Sequence, residues 1–153
     1  MIRRKHCKQH RSTRIYLKAP LVILFILAFA LAWDGTGIVR IGLLCALLHE
    51  AGHFVMYRWL WHRWPDLQLS PSGICLLLRG VTMTEQQEFL LAAAGPLTNL
   101  LSCCLVLAWM RLTWYSYWGY WFASTSLLIG GANLLPFPGL DGERMLHSFW
   151  HYR

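Results

Sequence analysis

Apolar residues in this chain come in long blocks, not in the short alternations of surface strands. Four blocks stand out. The first covers about 15–33, but only 19–33 is free of charge, with Lys18 placed to snorkel to the surface. That part is short for a full crossing and calls for local thinning of the bilayer. Its basic front, short apolar middle and Ala30-Leu31-Ala32 end also fit a cleaved secretory signal, an alternative for residues 1–33. Cleavage would still leave the next block entering from the outside. After a Gly35-Thr36-Gly37 turn, a second block runs over about 38–60. A more polar stretch, 65–88, holds two β-prone pieces around Pro71-Ser72-Gly73, the pattern of a hairpin. The last two blocks, 89–110 and 112–140, carry no charge, and the second opens on a crowd of Trp and Tyr from Trp114 to Trp121 that reads as an interfacial belt.

At roughly 20 residues per crossing, these blocks predict an all-α polytopic membrane protein with about four transmembrane helices and a short β-hairpin. Composition agrees: 56% of the 153 residues are hydrophobic and only 14% charged, too apolar for an ordinary soluble domain. The expected organisation is a basic arm over 1–18, a membrane-embedded core over 19–145 and a short tail over 146–153.

Charge then sets the orientation. Seven of the fourteen Lys and Arg residues lie in the first eighteen positions, and no acidic residue precedes Asp34. Such an arm suits an anionic lipid surface better than a nucleic-acid groove, which needs a folded basic face, so no nucleic-acid partner is expected. With the N-terminus in the cytoplasm, twelve of the fourteen fall on the cytoplasmic side and only Arg40 and Arg111 fall outside. The positive-inside rule therefore predicts a multi-pass protein with cytoplasmic N-terminus, hairpin and C-terminus.

The five cysteines form no CxxC pair or other metal spacing and read as small apolar fillers. The chemistry lies elsewhere. His49-Glu50-Ala51-Gly52-His53 is an HExxH sequence inside the second block. On a helix its histidines project from one face, one turn apart, where two imidazoles can hold a zinc ion while Glu50 takes a proton from water. Two histidines and a glutamate are costly in hydrocarbon and are tolerated where they serve a site. A third ligand is needed, and Glu85, Glu88, Asp141 and His62 are candidates. Asp141 closes a Pro- and Gly-broken stretch at the cytoplasmic end of the fourth block, the depth expected for the histidines. Glu85 and Glu88 are explained by the dipole of the helix they begin. His62 sits among Arg and Trp and reads as interfacial. Asn99 reads as a hydrogen-bonding residue between helices, and Gly95-Pro96 as a close-packing kink.

Three motifs together give a resemblance. His49-Glu50-Ala51-Gly52-His53, Ala94-Gly95-Pro96-Leu97-Thr98-Asn99 and Asn133-Leu134-Leu135-Pro136-Phe137-Pro138-Gly139-Leu140-Asp141-Gly142 follow one another over about 37–145. In order and spacing this region resembles the catalytic core of the site-2 protease family of intramembrane zinc metalloproteases, most closely its compact bacterial branch with the sporulation protease. The resemblance implies zinc ligation by His49, His53 and Asp141, water activation by Glu50, and substrate or oxyanion positioning by Asn133. It also implies a bacterial cell-membrane location and a membrane-anchored protein substrate cut near the cytoplasmic face, with a membrane regulator protein as a further partner beside the lipid bilayer. The chain shows neither a PDZ nor a CBS domain. Two rivals remain at this point: a regulatory or binding membrane protein that keeps the zinc site without turnover, and a metal transporter, which finds no charged pathway in the last two blocks.

Overall fold

The structure is a computed structural model that describes residues 15–17, 19–70, 73–77 and 83–151. Most of the basic arm, the Pro71-Ser72 part of the expected turn, residues 78–82 and the last two residues lie outside that description.

The first apolar block divides. A three-residue strand β1 (Ile15–Leu17) comes first, and helix α1 (Pro20–Ala32) begins only at Pro20. Proline has its φ preset for a helical first turn and disfavours helix in the residue before it, so the helix cannot extend further back. Ala19, the N-cap, sits outside the helical region at φ 54, a left-handed conformation that the proline rule does not itself require. With thirteen residues, α1 buries none of its side chains and touches the rest of the molecule only lightly, along the next helix.

That helix is α2 (Ile38–Trp61). Gly37, its N-cap, has no side chain to offer, and the task passes to Asp34, whose Oδ2 accepts the Arg40 N–H at 3.1 Å. Asp34 is buried, and burial raises its proton affinity, but the N–H groups of Arg40, Val39 and Gly37 and the Thr36 hydroxyl outweigh this. They hold the carboxyl below its usual range. Strands β2 (Asp66–Ser70) and β3 (Gly73–Leu77) follow, antiparallel from Asp66↔Leu77 to Ser70↔Gly73. β1 adds in parallel to β2, so the sheet order is β1-β2-β3.

Helix α3 (Glu85–Leu112) opens with a capping box between Thr84 and Gln87. It carries the chain to Leu112 and stops, so the fourth block is shorter than its uncharged run. Ser116 caps α4 (Tyr117–Asn133), receiving the Gly119 N–H at 3.2 Å; of the aromatic crowd, Trp114 and Tyr115 precede the cap, and Tyr117, Trp118, Tyr120 and Trp121 form the first turns of that helix. Residues 134–140 turn sharply before α5 (Asp141–His151).

The packing is inverted relative to a soluble bundle. The buried residues of α2 are Cys45, His49, Gly52, His53 and Tyr57, one face at helical spacing, while Leu44, Leu47, Val55 and Trp59 are exposed. On α3 the buried run Leu91 to Pro96 is followed by Asn99 and Cys103, and on α4 by Ala123, Ser126 and Gly130. Small and polar side chains face inward and large apolar ones face out, as when the surrounding medium is itself apolar. Among the described residues, α2 and α3 are each long and apolar enough to cross a membrane. α3 is the central element, in contact with α2, α4 and α5.

Candidate metal centre

Two glycines let the helices of the site approach closely. Gly52 lies between the histidines on α2, and a Cβ there would stand 2.6 Å from the Ala94 carbonyl oxygen and collide with the Thr98 hydroxyl. Gly95 on α3 faces back. A Cβ on Gly95 would stand 2.6 Å from His49 Nε2 and closer still to His53 Nε2, so its absence leaves room directly over both ring nitrogens.

The third wall comes from the far end of the chain. Gly139, at φ 91, turns the backbone, and its N–H donates to Glu143 Oε2 at 2.8 Å across the start of α5. Gly142 presses against the Leu134 and Leu135 carbonyls, where no side chain would fit. Asp141 is thereby held against the histidines: its Oδ2 lies 2.9 Å from His49 Nε2 and 3.1 Å from His53 Nε2, and the two Nε2 atoms are 3.2 Å apart. In a tetrahedral zinc site with bonds of about 2.1 Å, ligand atoms are roughly 3.4 Å from one another. The three donors need only move apart by a few tenths of an ångström to hold such an ion. Two nitrogens and one carboxylate oxygen are a fitting set for zinc with a further position open.

Contacts behind the donors support the same use. His53 Nδ1 is 2.8 Å from the Leu91 carbonyl oxygen, which can only accept, so the proton sits on Nδ1 and Nε2 offers its lone pair. Pro96 further along α3 lacks the N–H that the Ala92 carbonyl would otherwise receive, which loosens the helix beside this contact. His49 Nδ1 faces the Asn99 amide at 3.4 Å. Glu50, half-buried, is close enough to feel both imidazoles, Asp141 and Arg144, and is not one of the converging donors.

The other sequence candidates stand apart. Among the described residues, His49, His53 and Asp141 make the one His/Cys/Asp/Glu group able to hold a metal ion. Glu85 and Glu88 occupy the first turn of α3 next to the Thr84 cap. His62 ends α2 as its C-cap, at φ 54. Asn133 turns its amide onto its own helix, Nδ2 donating to the Ile129 carbonyl at 2.9 Å. Cys45 is more than filler, because it receives the Ser126 hydroxyl at 3.2 Å and ties α2 to α4. Sequence reasoning gave Asn99 a place between helices but not its partner, and it did not single out the Leu91 carbonyl.

No protein-family model matches the chain. Over an alignment of 121 residues that covers 70% of the chain, it is 31% identical to the Mycobacterium tuberculosis protein named Putative zinc metalloprotease Rip3, with the same match in two strains. The chain spans 29% of the length of those relatives. Among solved structures, the Site-2 Protease from Methanocaldococcus jannaschii superposes with a TM-score of 0.66 over 94% of this chain and 70% of that one, at 18% identity. The chain has the site-2 protease fold. The sequence match is thus to a protein named as a zinc metalloprotease, and the likeness in fold is to a site-2 protease. In this site-2 protease fold the HExxH helix, the Gly95-Pro96 helix and the Asp141-Gly142 start of α5 are the three elements that meet at the donors.

Proposed function

We infer that this chain is the catalytic core of an intramembrane zinc metalloprotease, with His49, His53 and Asp141 as ligands and Glu50 as general base. The observation that carries the reading is the convergence of those three donor atoms, from two distant stretches of chain, beneath the space Gly95 leaves open. Zinc held there supplies Lewis-acid polarisation of the scissile carbonyl and a more acidic water. Glu50, adjacent to His49 but outside the donor set, takes the proton of the attacking water and returns it to the leaving amine. Asn133 positions the substrate or its developing oxyanion once its amide turns from Ile129.

The membrane reading is a four-span core. α2 and α3 suffice by length, while α1 and α4, at about 1.5 Å per residue, are shorter: α1, with no buried side chain, needs local thinning of the bilayer, and α4 is also packed against α3. Their outward-facing leucines and aromatics support lipid as the surrounding medium. The basic arm, the β2–β3 hairpin and the C-terminal tail lie on the cytoplasmic side of a bacterial cell membrane. The substrate is a membrane-anchored protein, locally unwound and cut near that face, with a membrane regulator protein controlling access. β3 stands at a sheet edge, and strand addition there supports capture of an extended segment.

The test is the Glu50→Gln variant, purified in detergent and compared with the unaltered protein for zinc content and for cleavage of a panel of membrane-anchored substrates. Removal of a general base should leave zinc stoichiometric and lower turnover by about 10²–10⁴-fold. Activity equal to that of the unaltered protein removes Glu50 from the mechanism. Zinc without cleavage by the unaltered protein favours the regulatory alternative.

A further inference from the structure

His49 and His53 are oriented by different kinds of group. A backbone carbonyl, Leu91, fixes the proton of His53 on Nδ1 and cannot do otherwise. Among the described residues no carbonyl faces His49 Nδ1; the side-chain amide of Asn99 does, 3.4 Å away and completely buried in the middle of α3. Gly130 of α4 leaves the room this side chain occupies, since a Cβ there would stand 3.2 Å from Asn99 Cβ. Asn99 Oδ1 is a buried oxygen with no hydrogen-bond partner.

We propose that Asn99 is the positioning residue of His49, its Oδ1 accepting the Nδ1–H so that Nε2 presents a lone pair to the metal. A neutral imidazole that binds through Nε2 must carry its proton on Nδ1 and needs an acceptor there. The unused acceptor belongs to the same amide that already faces Nδ1. The nitrogen and oxygen of that amide exchange places by a half-turn about its last side-chain bond, with little change in volume. The opposite tautomer is served as well: Nε2–H can donate to Asp141 Oδ2, 2.9 Å away, while Asn99 Nδ2 donates to Nδ1. Asn99 thus follows His49 between a metal-free and a metal-loaded tautomer. An apolar residue can serve neither and an aspartate only the loaded one.

This inference rests on the zinc reading of the site, and the experiment separates the two. Zinc affinity is measured by chelator competition on the full chain in detergent for the unaltered protein, Asn99→Leu and Asn99→Asp, with far-UV circular dichroism as the check on folding. Asn99→Leu should bind zinc about 10–100-fold more weakly, and Asn99→Asp should stay within a few-fold of the unaltered protein. Equal affinity in the leucine variant, or an equal loss in both folded variants, overturns the proposal. No zinc binding by the unaltered protein overturns the metal centre itself and this proposal with it. Should either variant misfold, cadmium-loaded unaltered protein with ¹⁵N-labelled histidine decides: metal coupling to Nε2 in both site histidines, with protonated Nδ1, is the expected pattern. Coupling through Nδ1 of His49 overturns it.

Discussion

Single residues decide the centre, and their legibility in the sequence differs for a physical reason. His49, Glu50 and His53 follow from a local pattern, because helix geometry alone puts the histidines on one face. Asp141 stood out as an acid that closes a broken stretch; in the structure it also opens α5, as Glu88 lies in the first turn of α3, so what separates the two is the contact of Asp141 with both histidines. The clearance at Gly95 and the pairing of Asn99 with His49 depend on which faces of α2 and α3 meet and how closely, which periodicity does not specify. The rival carboxylate, Glu88, has a role in the first turn of α3 that needs no metal. Asp141→Ala should therefore lose most of the bound zinc, while Glu88→Ala keeps it near stoichiometric. Metal analysis of the two purified variants checks this, and the reverse pattern would move the ligand role to Glu88.

At the scale of elements, the sequence showed where apolar runs lie but not always where helices begin and end. Pro20 delays α1, Thr84 starts α3 inside the polar stretch before the third apolar block, and Ser116 starts α4 inside what hydropathy alone reads as one undivided run. The start of α2 is the least visible of these, since its cap comes from Asp34, six residues before the N–H it receives. A carboxyl held below its usual proton affinity stabilises the fold at pH values above the unfolded value of about 3.9. That contribution fades as pH falls through the lower, folded value. The Asp34→Asn variant should be less stable than the unaltered protein near neutrality, and the gap should close with acidification below about pH 4. Thermal melts of both proteins in detergent across that range give the comparison; a gap independent of pH would mean the charge contributes nothing to the cap.

Across the whole molecule, the outward apolar surface was legible because the blocks are longer than any soluble helix face requires, while helix α5 was hidden by its brevity and by its start at Asp141. Direction across the membrane rests on the twelve-to-two division of Lys and Arg. Reporter fusions or cysteine labelling should find the N-terminus, residues 66–82 and the C-terminus in the cytoplasm; an external signal from 66–82 would reverse the orientation and discard strand capture at β3. The position of Asp141 has one more consequence. It begins α5 and meets His49, 92 residues earlier, so an ion shared between them acts as a removable cross-link that closes most of the chain into a loop. Folding and loading are then one equilibrium: at free zinc a hundredfold above its dissociation constant, the folded state gains about 2.7 kcal/mol. Chelation should lower the melting temperature, restoring zinc should raise it again in a concentration-dependent way, and Asp141→Ala should flatten that response, so that the supply of one metal sets how much of the chain stands folded.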